Sequence, residues 1–224
     1  HTGSSSKYGL NCVAPKEIDE LLPNSHYSVT KASAAHIIKF YGTIKEMPVL
    51  NLRYYSVFGA YEEPDRLIPT LIKKALQQEF PPLVQPEISR DFVYVDDAVL
   101  ATLMAANSNF SQTAGKSINI ASGIKTTIRD IANTAKQVFN IPGEPHWGDF
   151  PNRKWDLKDW YGDASLAKQL LNWQSETSLE QGLLATAEWL KAYSKPLYEK
   201  KLVQDKIRHK ITAIIACYKD AQAI

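Results

Sequence analysis

The chain has 224 residues, enough for one or two domains, and its 44% hydrophobic and 22% charged content is that of an ordinary globular protein. With 26 basic and 24 acidic residues the net charge is +2, which gives no electrostatic case for binding nucleic acid or an anionic membrane. No apolar run reaches the ~20 residues that span a bilayer, and Cys12 and Cys217 lie far apart without metal-ligand spacing, as in a reduced, cytoplasmic protein.

The sequence starts at His1-Thr2-Gly3-Ser4 without a methionine, like a strand entering a loop, and is expected to begin within a domain. Residues 3–24 read as loop, and 25–46 as a helix with Ala32, Ala35, Ile38 and Phe40 near one face. Val49 to Tyr55 is a near-continuous apolar run after Pro48, which suits a buried parallel strand. A helix is expected from Leu67 to Gln78, then a short strand over 92–95, with Asp96 and Asp97 capping a helix that runs to about Ala106. Ser117 to Ala121 is the next strand, and Thr126-Thr127 opens a helix from Ile128 to Phe139 with Ile128, Ile131, Ala132 and Ala135 inward. A loop rich in Pro, Gly and Trp covers 141–162, and helices follow at 164–172 and 178–193. The alternation of strand and helix predicts an α/β fold with a mainly parallel sheet.

Tyr27 and Lys31 share a face at the head of the first helix, four residues apart. A phenol titrates near pH ~10, and a neighbouring ammonium favours its ionised form. The pair can therefore accept a proton at neutral pH, as oxidation of an alcohol requires. Taken alone, the spacing is equally that of a solvated helix face. Two other local patterns carry no chemistry. Ala114-Gly115-Lys116-Ser117 imitates the end of a phosphate loop, but Phe110 stands where that loop needs its first glycine. Asn109-Phe110-Ser111 is a glycosylation sequon with nothing else to imply secretion.

Several segments in order resemble the extended short-chain dehydrogenase/reductase enzymes that act on nucleotide sugars, the epimerase/dehydratase family. They are Gly3-Ser4-Ser5-Ser6-Lys7-Tyr8-Gly9, the Tyr27/Lys31 pair, Leu52 to Gly59, Arg90 to Asp97, Asn119 to Gly123, and Arg153-Lys154-Trp155-Asp156 followed by Asp163-Ala164-Ser165 and Leu171-Asn172-Trp173. Together they cover about residues 1–192. The resemblance implies the latter part of a doubly wound, Rossmann-like parallel sheet with a small substrate-binding lobe. It implies NAD or NADP as cofactor, a nucleotide sugar as substrate and a homodimer as assembly.

It also assigns roles. Tyr27 resembles the catalytic base, and Lys31 its partner, which also bonds the nicotinamide ribose. Ser5 or Ser4 resembles the residue that bonds the reacting hydroxyl: counting from the strand favours Ser5, and counting back from Tyr8-Gly9 favours Ser4. Loop serines that merely cap backbone amides would look the same. Tyr54 and Ser56 stand where the family lines the nicotinamide and the sugar, although relatives often carry asparagine at the Ser56 position and serine reaches less far. Arg90 and Arg153 resemble the arginines that hold the diphosphate, as guanidinium forks suit phosphate oxygens. Asp156 resembles an acid near the nucleotide ribose, and Asp97 reads as a helix cap rather than a ligand.

The family's glycine-rich turn, which holds the cofactor pyrophosphate at a helix start, does not occur in these residues. The chain is therefore expected to lack the first half of the nucleotide-binding domain, and as a piece to be inactive and prone to self-association. Dehydratases of the family place an acid just after the catalytic Ser/Thr. Ser6 and Lys7 stand there, and an ordinary lysine is a poor acid/base at neutral pH. Epimerisation thus ranks above dehydration, with reduction of a keto-sugar still open. A non-catalytic nucleotide-sugar module is the rival from another class. Residues 1–197 are assigned to this domain and 198–209 to a linker. Residues 210–224, with Lys210-Ile211-Thr212-Ala213-Ile214-Ile215, resemble the first strand of a family-two glycosyltransferase, or equally one more element of the preceding domain.

Overall fold

The computed structural model describes residues 1–149 and 157–204, of which 193–204 by backbone alone. Its centre is a three-stranded parallel sheet in the order β1–β2–β6, from β1 (Thr2–Ser4), β2 (Asn51–Tyr54) and β6 (Ser117–Ile120). The register sets Ser4 beside Tyr54 and Tyr54 beside Ile120, so three carboxyl ends finish level. Helix α1 (His26–Thr43) covers one face. Helices α3 (Val95–Ala106) and α6 (Ser165–Leu171) cover the other, where Leu50, Leu52, Ile118 and Ile120 pack with Ala98, Ala101, Ala105, Leu171 and Trp173.

The expected strand over Val49–Tyr55 divides. After β2 the chain turns at Tyr55 and continues as β3 (Ser56–Phe58), which pairs in parallel with β5 (Phe92–Tyr94) outside the main sheet. A third, antiparallel pair joins β4 (Ser89–Arg90) to β7 (Thr126–Thr127). These pairs lead into a second lobe, in which α2 (Leu67–Ala75), α5 (Ile128–Phe139) and α7 (Leu179–Gln204) bury Ile68, Leu71, Ile72, Ile131, Ala135 and Leu183. Thr127 caps α5 in a reciprocal capping box with Asp130. A single turn, α4 (Phe110–Thr113), precedes β6 and has no apolar period to announce it.

Two sequence expectations need correction. Phe40 points outward and is 46% exposed, because α1 needs small groups where it meets the sheet. Asp97 does not cap its own helix. The N-cap of α3 is Tyr94, without a side-chain bond. Asp97 Oδ2 instead accepts from Ser175 Oγ, Glu176 N and Thr177 N at 3.0–3.2 Å and so anchors the entry to α7. Helix α7 runs on to Gln204, into the stretch read as a linker, and residues 205–224, with the glycosyltransferase-like strand, lie outside the described residues.

Helix α1 approaches the sheet very closely. Ala32, Ala35 and Ser28 face inward, and a Cβ on Gly42 would stand 2.1 Å from the backbone nitrogen of Gly115, in the turn before β6. Gly42→Ala should therefore force two backbones apart. Overpacking of this kind costs about 1–3 kcal/mol, more than the ~1 kcal/mol that alanine returns in helix propensity. Thermal denaturation should show a lower midpoint for G42A than for the parent chain.

Candidate active site

The site begins where β1 ends and α1 starts. Ser25 caps α1 through a capping box with Ser28, which fixes the first turn and places Tyr27 within it. Lys31, one turn on, reaches back over Tyr27, with Nζ 5.7 Å from the ring centroid. The same ammonium donates to the carbonyl oxygen of Thr2 at 3.1 Å. This bond ties the helix to β1 two residues before Ser4, so Tyr27, Lys31, Ser4 and Ser5 belong to one junction of strand end, 3₁₀ turn (Ser5–Tyr8) and helix start. Tyr27 and Lys31 are half-buried, which leaves both in reach of a ligand.

The two serines divide their work. Ser4 Oγ accepts from Ser6 N at 3.1 Å and lies 2.8 Å from Ser6 Oγ, so it caps the 3₁₀ turn. Ser5 opens that turn and is buried. On the neighbouring strand Tyr54 stands in register with Ser4, but its hydroxyl is 2.6 Å from Thr102 Oγ1 on α3, on the opposite side from α1. Ser56 begins β3 and donates its amide to Asp91 O at 2.9 Å. Arg90 lies in the second lobe, with one guanidinium nitrogen on Ser89 O at 2.7 Å and the group 6.0 Å from the Trp160 ring. Arg153 and Asp156 lie outside the described residues.

Beneath α1 runs a polar layer that sequence reading did not find. Arg53, on β2, bonds the Tyr8 hydroxyl and the Glu17 carbonyl, and stacks 4.8 Å from the Tyr8 ring. Tyr8 donates to Asn119 Oδ1 at 2.9 Å, and Asn119 N donates to Glu17 Oε1 at 2.7 Å. Burial pushes the Tyr8 phenol up to about 12 and the Glu17 carboxyl above its ordinary value, so the layer holds a neutral phenol beside a guanidinium. These bonds pin the 9–24 loop over the strand ends. Arg53 could have been suspected from one signal, a charged residue inside an apolar strand.

Lys7 is fully buried, and its ammonium nitrogen has no hydrogen-bond partner. Desolvation, with Arg53 and Lys31 adding like charge, lowers it to about 6. It is therefore a neutral amine at pH 7, contrary to the ordinary lysine read from the sequence. Its enclosed nitrogen nevertheless cannot touch a substrate. In the unfolded chain Lys7 keeps its proton up to about pH 10.4. Between the folded and unfolded values the unfolded state holds the extra proton, so stability rises with pH through that window, by up to about 1.4 kcal/mol per unit. Lys7→Met should flatten this slope in urea denaturation between about pH 6.5 and 8.5, and an unchanged slope would place the amine in solvent.

Comparison with known proteins bears on this geometry. Residues 1–121 match the family model described as the NAD dependent epimerase/dehydratase family. A UDP-glucose epimerase, YtcB, of Bacillus subtilis (strain 168), itself uncharacterised, is 29% identical over 187 residues, covering 80% of this chain and 56% of that protein. The trifunctional UDP-glucose 4,6-dehydratase, 3,5-epimerase and reductase RHM1 of Arabidopsis thaliana is 27% identical over 194 residues, covering 84% of the chain and 28% of that protein. Among solved structures, the UDP-glucuronic acid 4-epimerase of Bacillus cereus with UDP-glucuronic acid and NAD superposes with a TM-score of 0.75 at 29% identity, over 85% of this chain and 60% of that one. The chain thus spans less than two thirds of the length of each.

Proposed function

The chain belongs to the NAD dependent epimerase/dehydratase family, and on that footing we propose that it carries the acid–base pair and the substrate half of an enzyme that epimerises a nucleotide-linked sugar through a transient ketone. The observation that carries the reading is the Lys31 ammonium, held on Thr2 O and poised over Tyr27. An ammonium donates three hydrogen bonds, and one is spent here. The remaining donors and the Tyr27 phenol suit the ribose and nicotinamide end of NAD or NADP. The pyrophosphate end finds no glycine-rich turn among these 224 residues.

NAD(P), when bound, supplies a hydride acceptor that later returns the hydride. The protein's own part is proton transfer and orientation. Tyr27, ionised beside Lys31, takes the proton of the sugar hydroxyl as the carbon becomes a ketone. Ser5, or Ser4 if its cap opens, holds that oxygen. The ketone turns over in the site, and Tyr27 returns the proton to the oxygen of the inverted carbon. Ser56 faces the sugar, Tyr54 contributes to the nicotinamide side through its ring, and Arg90 with Arg153 and Asp156 takes the nucleotide diphosphate. Dehydration needs an acid or base beside the ketone, and Lys7, the candidate by position, has an enclosed nitrogen. In the same reading a homodimer covers the apolar flank of α1, where Val29, Ile37 and Tyr41 are 43–55% exposed.

The test uses the complete protein with UDP-, GDP-, CDP- and dTDP-sugars. The expected result is an epimer without net consumption of NAD(P)H. Tyr27→Phe should lower turnover by about 10²–10⁴-fold, the usual share of general acid–base catalysis, and leave nucleotide-sugar affinity unchanged. A keto-deoxy product would assign dehydration instead, and net NADPH consumption would assign reduction. The 224-residue chain alone should bind no NAD by calorimetry. Tight binding there would overturn the assignment of the pyrophosphate site to residues outside it.

A further inference from the structure

Asp91 follows Arg90 at the step from β4 to β5 and is fully buried. Its carboxylate accepts four hydrogen bonds. Oδ1 takes Ser122 N and Ser122 Oγ, both at 2.7 Å. Oδ2 takes Gly123 N at 3.0 Å and Gly162 N at 3.1 Å. All four donors are neutral, and they come from two loops distant in sequence. One loop follows β6 of the main sheet, and the other is the return segment 157–162. Gly162 leaves no room for a side chain unless Tyr55 moves, since a Cβ would stand 2.4 Å from the Tyr55 ring.

Ser89, on the other side of Arg90, repeats the arrangement. Its hydroxyl donates to Lys158 O at 2.7 Å and accepts from Trp160 N at 2.9 Å. Segment 157–162 continues the chain of contacts, because Tyr161 exchanges backbone bonds with Cys12 and Ala14 in the loop over the strand ends. Arg90 is thus flanked by two side chains that staple the same segment. One of them, Asp91, also grips the end of β6.

We propose that Asp91 is a positioning residue whose carboxylate clasps the second lobe to the end of the main sheet, so that a nucleoside diphosphate held at Arg90 presents its sugar at Tyr27. This rests on the reading of Arg90 as a diphosphate ligand. A carboxylate suits the task because it accepts at both oxygens and donates at neither. Asparagine at this position offers one acceptor oxygen and sets an NH₂ against the amides of Gly123 and Gly162.

The experiment compares the complete protein with Asp91→Asn and Ser122→Ala. UDP is the probe by calorimetry, with GDP, CDP and dTDP in parallel, and amide hydrogen exchange is followed over 120–124 and 157–162. For D91N, exchange should accelerate in both segments, nucleoside diphosphate affinity should fall at least tenfold, and KM for the nucleotide sugar should rise with kcat within about threefold of the parent. S122A removes one of the four bonds to Asp91, together with the local acceptor of Ile124 N, and should weaken affinity severalfold in a fully folded protein, so it carries the test if D91N fails to fold. Faster exchange with affinity within twofold of the parent would make Asp91 merely structural and overturn the proposal, as would unchanged exchange. Arg90→Ala separates the two readings. If R90A leaves diphosphate affinity intact, the assignment of Arg90 fails. If R90A loses affinity while D91N and S122A keep it, only the clasp fails.

Discussion

A helix brings its backbone close to a sheet only where the side chains between them are small. Helix α1 meets that condition along its inner face with Ser28, Ala32, Ala35 and Gly42, and it is fixed at both ends: Gly42 against the Gly115 turn, and Lys31 Nζ on Thr2 O. Because β1, β2 and β6 are parallel and in register, Lys31 lands on Thr2, two residues before the level at which the strands finish. The Tyr27–Lys31 pair and the serine turn meet at that contact.

The layer under α1 has an uncommon composition. Most parallel sheets bury apolar residues on both faces, whereas here Arg53 and Asn119 project from β2 and β6 toward Tyr8 and Glu17, and the buried Asn51 donates to Ser117 Oγ on the neighbouring strand. Polar groups so placed must satisfy one another. Tyr8, Asn119 and Glu17 do so, and Arg53 joins them through Nη1 while its Nε stays unpartnered; together they hold the 9–24 loop. Lys7 escapes the cost of an unpaired buried charge by giving up its proton. Asp91 meets the same problem by a different route: burial pushes its carboxyl group above the ordinary carboxylate range, and four neutral donors gathered around it oppose that shift.

Much of this was legible in the sequence. The period of α5, its Thr127 cap and the inward Ile128, Ile131, Ala132 and Ala135 follow from local chemistry and are found as read. The apolar runs that became β2 and β6 were equally plain, as was the Tyr27/Lys31 face of α1. What local pattern could not supply was pairing. Nothing in Tyr54-Tyr55-Ser56 says that the chain leaves one sheet there for another. Nor does anything around Asp97 reveal that its partners are Ser175, Glu176 and Thr177, some eighty residues on. Lys7 was misread for a related reason, because a lysine's protonation depends on enclosure, which is set by the fold. Where β1 ends, at Ser4 rather than Ser5, is likewise a boundary that only the hydrogen bonds of the 3₁₀ turn define.

If the acid–base pair serves a hydride that leaves and returns to the same carbon, that hydrogen never exchanges with water, whereas the hydroxyl proton handled by Tyr27 does. The most direct measurement is epimerisation by the complete protein of a nucleotide sugar deuterated at the inverted carbon, followed by mass spectrometry of the product. The account predicts full retention of deuterium in the epimer. Loss of the label to solvent would show that the carbon-bound hydrogen leaves as a proton, and would contradict the role given to the Tyr27–Lys31 junction.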